Sequence, residues 1–310
     1  MPLQRRITDF GADLSFGQVN KKLQEHYGIT VSTSAPRVIT LDHAKAYKLK
    51  QDKDLGKKNN PEKLLVISET DGCMVPIVQP KARGEIADRR KGKVVLYREA
   101  RLTLAHEKGS ARPVFSGTMG DVKQTGLHIQ HCVRLVGIGK KTFVHCVGDG
   151  ATWISEQIEE QFGNQARYLV DFYHLCEYLA AASARCALGA EPAWMERQKN
   201  LLKENQAEQV LLALSPFIED RNIADNEAPV RVCYRYLSNR LALNQLDYKT
   251  ALANDLPIGS GEIESAHRYV IQKRLKVPGA WWLEAHAEQM LALRVARAND
   301  QWESHWRQAA

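Results

Sequence analysis

Residues 64–75 read LLVISETDGCMV. The apolar run Leu64-Leu65-Val66-Ile67 has the composition of a buried strand, and it runs into Glu69, Thr70 and Asp71 before Gly72. A carboxylate at the end of such a strand is costly unless something compensates it. The same grammar recurs in residues 142–150, TFVHCVGDG, where a strand over Thr142–Val147 precedes Asp149 and Gly150. Taken singly, each Asp-Gly reads as a turn, with glycine letting the chain reverse sharply. Taken together, two carboxylates at strand ends point to a divalent cation, since Mg²⁺ is held by one or two carboxylates plus waters and substrate phosphates.

Residues 257–265, PIGSGEIES, supply a third acid at the start of a helix. Ser260 is the candidate N-cap, with Pro257 and Gly259 marking the entry. Glu262 and Glu264 both fall in the first turn, where the helix dipole favours negative charge. Residues two apart point to different sides, so one of them faces the cleft. Glu264 is preferred because it shares a face with His267 and Arg268; Glu262 is the alternative.

The rest of the composition narrows the class. The chain has 310 residues, of which 44% are hydrophobic and 25% charged, an ordinary globular balance. No apolar run approaches the length that spans a bilayer, and the start, MPLQRRITDFGADLSF, has no apolar signal region. The cysteines form no CxxC pair, so reduced thiols are expected rather than a zinc ribbon or disulfide framework. The net charge of +7 is compatible with a nucleic-acid partner. Residues 44–63, rich in lysine, read either as a solvated linker or as a linker that also tracks phosphates.

Along the chain, residues 14–43 resemble a helix-turn-helix. Leu14, Val19 and Leu23 keep helical spacing, Gly28 stops the first helix, and Ser32, Thr33 and Ser34 offer a cap for the second. A β-rich stretch covers 92–107, and 118–136 looks helical. A helix stopped by Gly163 follows Asp149, and a short strand over Tyr168–Val170 runs into another helix. Residues 190–250 are strongly helical, and two helices broken around Pro278-Gly279 close the chain.

In this order the motifs TDGCMV, VGDGATWI, DFYHLCEYL and IGSGEIESAHRYVIQKRLKVPGAWW resemble the DDE transposases of bacterial insertion sequences, the Kra-type family in particular, and more broadly Mutator-like transposases. The resemblance covers about residues 62–300. It implies an α/β, ribonuclease H-like fold: a mixed sheet with flanking helices, a helical insertion before the Glu-bearing helix, and a small N-terminal helical region. The implied divisions are 1–60 (helical DNA-binding region and basic linker), 61–174 (first part of the catalytic core), 175–255 (helical insertion) and 256–310 (helices completing the core).

By the same resemblance, Asp71, Asp149 and Glu264 are the catalytic acids and hold two Mg²⁺ ions, with Mn²⁺ as a substitute. Such metals activate the nucleophile and stabilise the leaving oxygen in phosphodiester cleavage and strand transfer. The family's D-x-x-H pair falls on Asp171 and His174, expected to contact DNA or orient the scissile strand. Arg268, Lys273, Arg274 and Lys276 are expected on DNA phosphates. Trp281 and Trp282 read as a hydrophobic anchor where two helices meet, with base stacking as the alternative. The implied partners are the transposon's terminal inverted repeats and target DNA, met by a homo-oligomer, in a bacterial cytoplasm at the nucleoid.

Two other classes compete. One is a catalytically inactive or truncated transposase remnant that only binds DNA. The short region before Asp71 fits a truncated copy, with further DNA-binding sequence upstream of Met1. The other is a two-carboxylate glycosidase, weakened by the basic charge and the 7% aromatic content.

Overall fold

The computed structural model describes residues 2–57, 59–80 and 93–308. Helices α1 (Pro2–Asp13), α2 (Phe16–Tyr27) and α3 (Ala35–Asp54) come first. Strands β1 (Leu65–Pro80), β2 (Lys93–Glu107) and β3 (Val114–Thr118) follow, then α4 (Val122–Val136), β4 (Phe143–Gly148), α5 (Thr152–Phe162) and β5 (Ala166–Val170). The next stretch is helical: α6 (Phe172–Cys186), α7 (Glu191–Lys203), α8 (Ala207–Leu214), α9 (Pro229–Ala242) and α10 (Tyr248–Ala253). Helix α11 (Gly261–Ala266) continues as a π-helical segment, His267–Gln272, and then as α12 (Lys273–Leu275). Helices α13 (Glu284–Ala298) and α14 (Trp302–Gln308) end the described chain.

The strands form one five-stranded sheet in the order β3-β2-β1-β4-β5. β1 is parallel to β4, β4 is parallel to β5, and β2 is antiparallel to β3. This is the mixed, helix-flanked α/β sheet expected of a ribonuclease H-like fold, with β1 in the middle.

Contacts divide the chain into two units. The first comprises the described residues of Met1–Lys63, Thr70–Lys141 and Glu262–Ala310. Its core joins Val75, Ile77, Leu102, Leu104 and Phe115 from strands to Ile263, Val270, Met290 and Leu291 from helices. Burying each such side chain contributes about 1.5–3 kcal/mol. Polar clamps fix α13 to β3. Asn299 accepts from the Phe115 amide and donates to the Phe115 carbonyl, both at 2.7 Å, and the Glu288 carboxylate accepts from Thr118 Oγ1 and the Met119 amide.

The second unit comprises Leu64–Glu69 and Thr142–Gly261. It holds the parallel pairing Leu65↔Phe143 through Glu69↔Val147 and the helical insertion. The edge of β5 is closed by that insertion: Val170 donates to the Gln245 carbonyl at 3.0 Å, and Tyr248 Oη donates to the Val170 carbonyl at 3.0 Å. Covering an edge strand in this way removes a template for unwanted pairing.

Three expectations are corrected here. Asp71 does not end a strand: β1 runs through Asp71-Gly72 as far as Pro80. Gly72 keeps an extended conformation, and its missing Cβ makes room for Glu99, whose Oε1 would lie 2.0 Å from such an atom. The lysine-rich stretch is not a linker over its first half, because residues 44–54 belong to α3. Thr40, Leu41, Ala44 and Tyr47 form its buried stripe, so the lysines are the solvent side of an amphipathic helix. Helix α6 runs across the division expected at 174/175. The stop at Gly28 is as expected, with φ 64°, whereas Ser34 occupies the N-cap of α3 without a side-chain cap bond.

All six cysteines are free thiols. Among the described residues, no helix is long and apolar enough to cross a membrane.

Candidate active site

In the first unit the site is built from β1 and the α11 helix. The Asp71 side chain is about one-third exposed, and its Oδ1 accepts from the Gly72 amide at 2.7 Å. Its Oδ2 lies 3.4 Å from His267 Nε2, in the first residue of the π-helical segment. π-Helical turns are rare and frequent at functional sites. His267 is buried, and that burial lowers its pKa to about 4, so the ring is neutral at pH 7. Glu264, exposed, sits one turn before His267 in the same continuous helix. Glu262 lies on another side, with Oε2 3.3 Å from Nε2 of the buried His106 in β2.

In the second unit, Asp149 follows β4 in a tight turn. Its Oδ1 accepts from the Ala151 amide at 2.8 Å. Two tyrosines hold the turn: Tyr168 Oη accepts from the Gly150 amide at 2.8 Å, and Tyr236 Oη donates to the Asp149 carbonyl at 2.7 Å. Gly150 has φ 89°, and a Cβ there would meet Tyr236 Oη at 2.2 Å. Tyr236 stacks on Tyr178 at 4.2 Å, and His174 packs edge-on against both. Arg240 lies over the Tyr236 ring at 5.1 Å.

Asp171 is buried at the N-cap of α6. Its Oδ1 accepts from the Tyr173 and His174 amides, and its Oδ2 accepts from the Ser260 amide at 2.7 Å and Ser260 Oγ at 2.6 Å. The carboxylate therefore joins the start of α6 to the strap that enters α11. Asp171 is 2% exposed, so its carboxylate is turned to these protein groups. Ser260 likewise spends its hydroxyl proton on Asp171. His174 remains partly exposed, with Nδ1 3.4 Å from Glu177 Oε2.

Of the four expected phosphate contacts, Arg268, Lys273 and Lys276 are exposed. Arg274 is not, which corrects its expected role. It falls on the buried face after Val270 and Ile271, and its guanidinium sits 4.6 Å from each of the Phe16 and Trp282 rings while Nε donates to the Gly11 carbonyl.

The β1–β4 pairing ends at Glu69↔Val147. Glu69 itself is buried, 2% exposed. The donor chemistry of Asp71, Asp149 and Glu264, all carboxylate oxygen, suits a hard cation such as Mg²⁺. Among the described residues, no group of three or more His, Cys, Asp or Glu side chains is already gathered as a metal site.

Sequence reasoning did not find Tyr168, Tyr178, Tyr236 or His106. The tyrosines on α6 and α9 look like ordinary amphipathic residues, and nothing in their spacing ties them to Asp149.

A family model matches residues 138–308, more than half of the chain, including Asp149, Asp171, His174 and Glu264. The chain belongs to the uncharacterised protein family UPF0236. No curated protein matches this UPF0236 member. Among solved structures it is similar to the Drosophila P element transposase strand transfer complex, at 10% identity and a TM-score of 0.33, over 97% of this chain and 80% of that one. A likeness of that size carries no functional conclusion.

Proposed function

We propose that this UPF0236 protein is a DDE transposase of the Kra type, cleaving and joining DNA strands of an insertion sequence. The observation that supports this best is the meeting of Asp71 with His267, which puts the first acid of the motif order against the helix that carries Glu264.

Asp71, Asp149 and Glu264 are the proposed ligands of two Mg²⁺ ions, or of Mn²⁺ in their place. When bound, the metals supply an activated nucleophile and stabilise the leaving oxygen. The chain's own residues have the remaining work. Neutral His267 sets the Asp71 carboxylate against α11 without competing as a cation. Asp171 fixes the entry to α11 through Ser260. Exposed Arg268, Lys273 and Lys276 contact phosphates, and His174 orients a strand. Helices α2 and α3 provide the proposed DNA-binding region, and a homo-oligomer brings together the terminal inverted repeats and the target.

The test is cleavage of DNA carrying the flanking terminal inverted repeats, with Mg²⁺ or Mn²⁺ added. Asp71→Ala is expected to lower cleavage by on the order of 10³-fold while DNA binding persists. Glu264→Gln is expected to match it and Glu262→Gln to retain most activity. Equal loss of binding and cleavage in Asp71→Ala would point to a folding role. DNA binding with no cleavage by the unaltered chain would favour the binding-only remnant.

A further inference from the structure

A cavity of about 580 Å³ lies within the second unit, between one face of the sheet and α10. The pairings Leu65↔Phe143, His145↔Arg167 and Val147↔Leu169 set Leu65, Phe143, His145, Arg167 and Leu169 on that face, because side chains alternate along a strand and paired ones point the same way. All five line the cavity, and Ala251 and Leu256 close it from the side of α10. Most of these walls are apolar, and Leu65, Phe143 and Leu256 are only partly buried. Apolar surface left open inside a concave site of this size is the usual setting for a small-molecule ligand.

A histidine is set among these walls. His145 is 4% exposed, and its Nε2 donates to the Pro257 carbonyl at 2.8 Å. Burial lowers its pKa, so the ring is neutral and carries a single N–H. That N–H is spent on Pro257, which leaves Nδ1 as an acceptor. Among the described residues no group donates to Nδ1, and the atom is open to the cavity rather than sealed in the core like Trp306 Nε1. Of the lining residues, Arg167 and Asp247 carry charge, and they lie 3.8 Å apart, so they offset each other. The site therefore favours a ligand without net charge, and what it asks of that ligand is one donor.

We propose that this cavity binds a neutral, mostly apolar ring compound that carries one O–H or N–H donor, and that the donor meets Nδ1 of His145. The sheet supplies a flat wall, which suits a planar ring, and Phe143 lies on that wall beside the histidine. Covering the open apolar walls supplies the affinity, and the single hydrogen bond selects ligands with a donor. An anion gains nothing here, because Arg167 already has Asp247 beside it. The proposal does not rest on the transposase reading.

Calorimetric titration of the full chain with indole, N-methylindole, para-cresol and toluene tests it. Indole and para-cresol carry a donor; N-methylindole and toluene offer a similar apolar body without one. Indole is expected to bind about tenfold tighter than N-methylindole, and para-cresol about tenfold tighter than toluene, the worth of one hydrogen bond. Indole and para-cresol are expected to compete for the same site. His145→Gln keeps an amide donor for Pro257 but has no acceptor in the place of Nδ1, so the preference for indole over N-methylindole is expected to shrink to about twofold or less. Leu256→Trp, at a partly buried lining position, fills the cavity and is expected to weaken indole binding by about tenfold or more. Absent binding, equal binding of ligands with and without a donor, or a preference that persists in folded His145→Gln would each overturn the proposal. The comparison within the unaltered chain decides the matter even where His145→Gln fails to fold. None of these measurements reads DNA cleavage, so a chain that binds indole and cuts no DNA removes the transposase reading and leaves this cavity standing.

Discussion

Asp71 lies inside an unbroken strand, whereas Asp149 lies in a tight turn just beyond one. Asp71 takes its backbone conformation from strand β1, and its carboxylate meets the Gly72 amide and His267. The backbone of Asp149 is fixed by side chains, Tyr168 beneath it and Tyr236 from a helix 87 residues away. A carboxylate on a strand inherits the rigidity of the sheet. One in a turn has to be fastened by distant groups, and it is exposed to changes in them.

The largest effect is expected where a single carboxylate fastens two segments. Asp171→Ala removes four hydrogen bonds to amides and a hydroxyl, and is expected to cost about 3 kcal/mol. Urea unfolding measures it. A loss under 1 kcal/mol would show that the strap into α11 stands without Asp171.

The glycines break the comparison most directly. Gly150→Ala puts a Cβ at φ 89° and against Tyr236 Oη, for an expected cost of about 2 kcal/mol. Gly72→Ala meets only the flexible end of Glu99 in an ordinary extended conformation, so its cost is expected to stay within about 1 kcal/mol. Equal costs in thermal unfolding would mean that the two aspartates are held alike after all. Tyr236→Phe sharpens the point, since it removes the hydroxyl that donates to the Asp149 carbonyl. About 1 kcal/mol is expected, with cleavage falling several-fold and DNA binding unchanged.

The smallest effect near neutrality concerns pH. His128 in α4 is buried against Ser116 Oγ at 2.6 Å, and burial lowers its pKa from 6.5 to about 3. The unfolded chain therefore binds a proton that the folded chain refuses. This contribution to stability is complete above pH 6.5 and is lost as pH falls from 6.5 towards 3. The unfolding free energy of the unaltered chain, relative to His128→Gln, is expected to fall by about 1.4 kcal/mol per pH unit once below 6. Parallel pH profiles would remove His128 as the cause.

Much of the fold could be read from periodicity alone. The apolar run at 65–67, the strand after Thr142, the glycine stops at Gly28 and Gly163, and the helical stretch from 190 to 250 all stand where spacing put them. β3 escaped because its five residues, nearly all buried, have no alternation to detect. The lysine-rich end of α3 misled because charge density hid a buried stripe at positions 40, 41, 44 and 47. Arg274 misled in the opposite way, since a basic residue among basic neighbours gives no sign that two aromatic rings from elsewhere will enclose it.

The sequence by itself determined which acids stand in motif order and where most of the strands and helices lie, because periodicity and glycine placement are local properties. The tertiary structure alone decided that Asp71 stays within a strand, that Asp171 is spent inside the protein, that Arg274 is enclosed, and that tyrosines far along the chain hold the Asp149 turn. Each of those depends on which distant side chain arrives at a given atom, and chain-local chemistry carries no record of that arrival.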